Sequence, residues 1–493
     1  MSGLDSAFLA FESPSMHLHM AVVALVDPAT APAPVDAGAL GATVVRRLLA
    51  QPAFRRRVVE APFRLDHPVW VEDPDLDPGA HVHHRLLPPP GGLDQLAAVA
   101  AEVVSRPLDR SRPLWEVHVV DGLGDGRVAL VAKVHHAVAD GASAIALLAH
   151  LFDEPVPLPG ARAVDGGRAG GGAAPPAEPP GGTVPSDAEM LGHVLVAQAR
   201  RATELPGLVG RTLAAAARLA VRHRDAGDEA GAVPLHAPRT PWTAAVTPRR
   251  SVAFARVSLG DVRRVGAAWD ATVNDVVLAL VAAVLRQYLL ARAALPEEPL
   301  VAMCPVSTRG GGGTGGGANQ VSAMFVRLRT DLADPVERLR ATARSAHAAR
   351  QDHDAVGGDL VATWAGQVLP GPVALAARLY ARVGAAAWHP PLHDVVVSDV
   401  RGPDAPLHLD GARLVAAYPL GPVMDGAGLN VTALSSPGHV HLGFVADAHL
   451  VPDPWQMADA VAGAMGDLRD AVDDLAAPGA GGGPRRAVDP GAG

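Results

Sequence analysis

Apolar positions recur along this chain with two periods, alternating and helical, in two stretches separated by a biased middle. Residues 17–27 (HLHMAVVALVD) predict a strand. A helical period follows at 36–50. The run FRRRVVEAPFRLDHPVWVED then reads as strand-like, and 93–105 (LDQLAAVAAEVVS) as a helix. β-Branched runs at 114–121 and 128–134 flank the turn LGDGR and predict two strands, and 141–152 resumes a helical period. The second stretch begins near Ser251 and runs to about Leu475. Its strongest element is a helix over 274–292, with Val276, Val277, Leu280, Val281, Val284, Leu285, Tyr288 and Leu289 on one broad face. Met457, Val461, Met465, Leu468, Val472 and Leu475 repeat that spacing over 456–475.

Mixed order in both stretches predicts an α/β (α+β) fold of two domains, 1–154 and 246–476, joined by a connector over 155–245. Within the connector, 155–187 is dominated by Pro, Gly and Ala and reads as a flexible linker, whereas 188–224 is helical. The tail 477–493 reads as disordered. With 493 residues, 49% of them apolar, the chain has ample material for a large core. One cysteine, Cys304, excludes an internal disulfide framework and a Cys-based zinc finger. A net charge of −9 with 4% aromatics offers nucleic acid neither a basic field nor stacking platforms. Asp5 interrupts the N-terminus and no basic segment precedes it, so no secretory signal is expected. The best apolar run, Val276 to Leu285, stops at Arg286, short of the about 18 residues a membrane span needs, and the cytoplasm is the expected compartment.

The chemistry concentrates between Val128 and Phe152, VALVAKVHHAVADGASAIALLAHLF. An apolar strand ends in His135-His136, and a short turn leads through Asp140-Gly141 into an apolar helix. Imidazole titrates near neutrality, so a histidine fixed at a strand end can take a proton from an alcohol. Other duties compete for the same residues. Asp140 suits a helix cap, and His135, alternating with apolar neighbours, suits a structural place in the core. Two histidines and an aspartate at this spacing make a poor metal site, and none is expected.

HHAVADG at 135–141 matches the HHxxxDG signature of the CoA-dependent acyltransferase superfamily, which includes chloramphenicol acetyltransferase and nonribosomal peptide condensation domains. LDSAFLAFESPSMHLHM (4–20), SRPLDRSRPLWEVHVVDGL (105–123), APRTPWT (237–243), PVSTR (305–309), NQVSAMFVRL (319–328) and PLGPVMDGAGLNVTALSS (419–436) narrow the match. With them the chain closely resembles bacterial wax ester synthase/diacylglycerol acyltransferases over nearly its whole length. The resemblance implies two chloramphenicol-acetyltransferase-like domains with mixed sheets and an active-site tunnel between them. It implies transfer of a long-chain acyl group from acyl-CoA, a co-substrate, to diacylglycerol or a long-chain alcohol, with no cofactor. Two rival functions share the scaffold: acyl transfer from a carrier protein, as in condensation or polyketide-associated enzymes, and a non-catalytic lipid-droplet protein.

By that match His136 is the base, Asp140 positions the loop, and Gly141 leaves room for the thioester. Asn274-Asp275 matches the family's ND pair and is a candidate oxyanion donor, although Asn at a helix start is also a favoured N-cap. Ser307 and Thr308 are secondary candidates. Pro113-Leu114-Trp115 matches an element near the substrate path, while a Trp before a strand also suits a core. Asp399, Ser436 and Thr243 depart from the family's usual residues. Strand alternation splits the histidines of HVHH (81–84) between two faces. The glycine run 310–317 lacks the Gly-Lys-Ser/Thr of a phosphate loop and reads as a flexible loop. In 188–224, Arg211, Arg218 and Arg222 share one helical face opposite Val209, Leu213, Ala216 and Ala220. Such a helix can lie on a membrane or lipid inclusion, or pack on the protein with a solvated basic face.

Overall fold

The computed structural model describes residues 1–138, 151–153, 187–226, 231–232, 235–307, 321–357 and 360–476. Asp140, Gly141, Thr308, most of the helix expected over 141–152, the low-complexity run before Asp187, the glycine run and the tail lie outside the described residues. The first region contains α1 (Gly3–Phe11), β1 (His19–Asp27), α2 (Ala37–Ala50), β2 (Arg56–Val59), β3 (Val69–Glu72), β4 (Val82–Leu86), α3 (Leu93–Ser105), β5 (Trp115–Asp121) and β6 (Val128–His135). The connector supplies α4 (Asp187–Ala226), a helix of 40 residues. The second region contains β7 (Arg250–Ser258), α5 (Leu259–Ala268), α6 (Val273–Leu290), β8 (Val301–Ser307), β9 (Val321–Arg327), α7 (Pro335–Val356), α8 (Leu360–Gln367) and α9 (Pro370–Arg382). It ends with β10 (Val395–Arg401), β11 (His408–Leu409), β12 (Ala412–Leu420), β13 (Leu429–Ser436), β14 (His439–Asp447) and α10 (Trp455–Ala476).

Two six-stranded mixed sheets carry the fold, ordered β11-β12-β1-β6-β5-β4 and β7-β14-β13-β10-β8-β9. In the first, β6 is buried at all eight positions, because helices cover both faces. Val128, Leu130, Ala132 and Val134 pack with Leu40, Val44 and Leu48 of α2. Ala129 and Val131 face Leu96, Ala100 and Val103 of α3. In the second region α6 is enclosed by sheet and helices, with Val276, Leu280, Val284 and Leu289 fully buried. It is the one helix among the described residues long and apolar enough to cross a membrane, and it is a core helix.

A linear division at residue 246 does not separate the two sheets. β11 and β12 leave the second region and complete the first sheet, with β12 antiparallel to β1 (Ala21↔Leu420, Ala24↔Ala417). β12 also runs close over β14: a Cβ added to Gly443 would fall 1.9 Å from the Pro419 carbonyl oxygen. Glycine is required there because two backbones touch.

Candidate active site

β6 delivers the histidine pair. His135 is its last residue, and the His136 N–H donates to the Leu18 carbonyl oxygen at 2.9 Å, just before β1 begins. The chain then turns, and the Ala137 N–H donates to His135 Nδ1 at 2.9 Å. A ring that accepts at Nδ1 carries its neutral-state proton on Nε2. So His135, 1% exposed, has its tautomer fixed by backbone and serves the loop, whereas His136 is half-buried beyond the strand end.

The His136 ring is held by α1. Phe8 stacks on it, centroids 4.4 Å apart and planes 17° from parallel. A parallel stack covers a ring face and leaves both nitrogens pointing along the edge, out of the apolar contact. α1 starts in a reciprocal capping box between Ser2 and Asp5. It also lies against α8, where Gly3 and Gly366 meet so closely that a Cβ on Gly3 would fall 2.4 Å from the Gly366 backbone. The second region therefore helps set the position of the histidine's stacking partner.

Behind the pair lies a buried charge cluster. Glu12 sits 3.3 Å from His19 Nε2 and 3.8 Å from His135 Nε2, and accepts hydrogen bonds from Arg110. Burial alone would raise its carboxyl. The bond to His19 and the nearby His135 and Arg110 overcome that and hold it at about 2. Burial drives both His19 and His135 below the usual histidine range, so these imidazoles are neutral. On the same face of β6 the only lysine, Lys133, donates to the Val103 and Arg106 carbonyls at 2.8 and 2.9 Å. It pairs with Glu116 at 2.7 Å. It thereby caps the C-terminus of α3 from inside the sheet. In the sequence Glu12 and Arg110 carry no sign of a role, and Lys133 stands out only as the single lysine. Glu12 lies within the matching segment 4–20, but an isolated acid in a segment carries no sign of its partners.

The remaining candidates separate. Trp115 is a core residue, 2% exposed, donating from Nε1 to Phe54 O and stacking on His81 at 4.5 Å. Leu114 accepts the His135 N–H at 3.0 Å, and the Trp115 N–H bonds Pro113 O. Pro113-Leu114-Trp115 thus supports the histidine pair through its backbone. At the start of α6 the N-cap is Thr272, not Asn274, and Asp275 closes a capping box with it. Asn274 is the second helical residue, half-buried. Ser307 ends β8. His83 turns toward His118, and His84 toward Gly41 of α2, as alternation requires. Thr243 is buried in a turn with Thr240, and burial raises the Asp399 carboxyl to about 6.

An apolar cavity of about 230 Å³ follows the α2-side face of the sheet. Val22, Ala24, Leu130, Ala132, Leu407 and Leu414 line it, with Ser436 and His441 at one wall, 3.3 Å apart. Ala132 lies four residues before His136 on β6, roughly 13 Å along a strand. His136 is not among the residues that line this cavity. Among the described residues two groups have metal-ligand proximity: Glu12 with His19 and His135, and Glu116 with His83 and His118. Each carboxylate already pairs with a cation, Arg110 or Lys133, which opposes a bound metal ion.

Residues 1–277 match the family profile described as the wax ester synthase/diacylglycerol acyltransferase catalytic domain, and 317–469 the WS/DGAT C-terminal domain. A candidate diacylglycerol O-acyltransferase of Mycobacterium tuberculosis (strain CDC 1551 / Oshkosh) is 34% identical over 479 residues, covering 96% of this chain and 91% of the relative. One from Mycobacterium bovis is 32% identical over 468 residues, covering 95% and 98%. Among solved structures, the wax ester synthase/diacylglycerol acyltransferase from Marinobacter aquaeolei VT8 matches with a TM-score of 0.65 at 26% identity, covering 95% of this chain and 98% of that one. The first condensation domain of the CDA synthetase shares the fold, with a TM-score of 0.51 at 16% identity over 97% and 96%.

Proposed function

The chain belongs to the wax ester synthase/diacylglycerol acyltransferase family and is an acyltransferase of lipid metabolism, and from that premise we propose that His136 is its general base. A ring nitrogen of His136 takes the proton from the hydroxyl of diacylglycerol or a long-chain alcohol. The oxygen attacks the thioester carbonyl of acyl-CoA, the C–S bond breaks, and the CoA sulfur leaves with the proton. Triacylglycerol or wax ester and free CoA result. The chemistry needs no cofactor and no metal: it needs a base, a fixed approach and oxyanion donors. The observation that carries this reading is the placement of His136 just beyond the end of β6, fixed by Leu18 at the backbone and by Phe8 at the ring. Asp140 and Gly141 belong to the same reading through the HHxxxDG match, as loop positioner and as space for the thioester. Asn274, Ser307 and Thr308 are its oxyanion candidates.

The substrates are lipids, so the reading includes peripheral contact with the inner membrane or lipid inclusions from the cytoplasm. Several arginines of α4 bind the protein: Arg218 donates to Ala355 O, Arg222 pairs with Asp352, and Arg201 binds Asp66 and Gly366 O, while Arg200, Arg211, Arg218 and Arg224 stay exposed.

The test offers purified protein radiolabelled palmitoyl-CoA with hexadecanol or diacylglycerol in parallel, and palmitoyl-carrier protein as a second donor. His136→Ala is expected to lower ester formation about 10²–10⁴-fold with an unchanged circular dichroism spectrum. A folded variant with wild-type activity overturns the base assignment. Exclusive use of the carrier-bound donor overturns the acyl-CoA assignment.

A further inference from the structure

The chain is acidic overall, but residues 360–393 contain no Asp or Glu, two arginines and two histidines. They form α8, α9 and a 3-10 turn over Ala385–Ala387. α9 is amphipathic in an inverted sense. Pro370 and Ala374 are buried, while Leu375, Leu379 and Val383, one turn apart, are 69%, 57% and 43% exposed. Arg378 and Arg382 flank that stripe and are exposed. Beyond the turn Trp388 is 74% exposed, beside His389, which is hydrogen-bonded to Tyr380 of α9 at 2.7 Å. The loop Pro62–Arg64 packs beside α9, with Arg64 O next to Gly371. There Phe63 stands 87% exposed in left-handed backbone (φ 53°), a conformation that costs free energy for a bulky residue.

A leucine-rich stripe flanked by arginines and ended by tryptophan has the chemistry of a helix lying in the headgroup boundary of an anionic bilayer. An apolar partner protein would account for the leucines. It would not require two uncompensated arginines with no acid within the segment. The location adds meaning, because α9 packs on α1, whose Phe8 holds His136.

We propose that α9, with Trp388 and Phe63, is the surface on which the protein docks on an anionic phospholipid layer, bringing the His136 site to its lipid acceptor. The docking surface rests on the acyltransferase reading for its purpose, but not for its detection.

The full chain is sedimented with phosphatidylcholine vesicles with and without phosphatidylglycerol. Wild type is expected in the pellet with anionic vesicles, less so as salt rises. Leu375→Glu/Leu379→Glu is expected to weaken binding at least about tenfold per leucine. Arg378→Gln/Arg382→Gln is expected to lose roughly fivefold per arginine, on anionic vesicles alone. All of these side chains are exposed, so folding and turnover of a short, water-soluble alcohol should stay at wild-type level. Val209→Glu/Leu213→Glu on α4 should bind as wild type. The proposal is overturned if the α9 leucine variant binds normally, if the α4 variant alone is released, or if wild type ignores vesicles and the variant merely abolishes self-association. Failure of every acceptor with intact vesicle binding would instead reject the acyltransferase reading.

Discussion

Orientation of one imidazole depends on its neighbours. Phe8 contributes a flat contact and no hydrogen bond, so its role is to restrict ring rotation. Phe8→Ala is expected to lower kcat about tenfold to a hundredfold with KM for acyl-CoA little changed, read in steady-state kinetics, because small misplacements of a base are costly. Lys133 is different, since its loss strands the buried Glu116 carboxylate, held at about 2 against the effect of burial by His118 and by Lys133 itself. Lys133→Met should destabilise by roughly 3–5 kcal/mol in denaturant unfolding, with Lys133→Met/Glu116→Gln recovering much of it. At this scale the histidine pair was legible, because seven residues in a row carry it. Glu12 and Lys133 were not, since their meaning comes from partners such as Arg110 and the end of α3, distant in sequence.

Elements were read best where the period was long. α2, α3 and α6 appear within about two residues of their expected bounds, because boundaries follow caps that a sequence shows only partly. The start of α6 illustrates the limit. Asn274 is a favoured cap residue, but Thr272 forms the box with Asp275, and Thr272→Ala should cost about 0.5–2 kcal/mol in thermal or denaturant unfolding. Nine-residue α1 offered too little periodicity to be seen as a helix, although its match to the family was plain. α4 was legible as an amphipathic helix. Which face meets the protein was not, because Asp352 and Asp66, which receive its arginines, lie in other segments.

For the whole molecule, both mixed sheets were expected, and the passage of β12 into the first sheet was not. A strand from residue 412 pairing with one from residue 19 leaves no local trace. The distribution of buried histidines is a second global property. His135 and His19 in the first sheet, and His393 and His441 (both at about 4) in the second region, are depressed chiefly by burial. In the unfolded chain each titrates near its ordinary 6.5, so below that pH the unfolded state binds more protons. Stability is therefore full above about pH 6.5 and falls as pH drops toward 4, by up to about 1.4 kcal/mol per histidine per pH unit. Glu12 and Glu116 add a loss of the same sign between 4.5 and about 2. Melting temperatures between about pH 8 and pH 5 at fixed ionic strength should decline below neutrality, and a flat profile would contradict the neutral assignments.

The β12 excursion bears on how the chain is made. During synthesis β1 leaves the ribosome early and can meet β6 soon after, but its other edge waits until Leu420 has emerged. Through most of translation the nascent first sheet thus presents an unpaired strand edge. Its shielding in that interval, by chaperones or by the speed of elongation, will govern how much of the product reaches the native state.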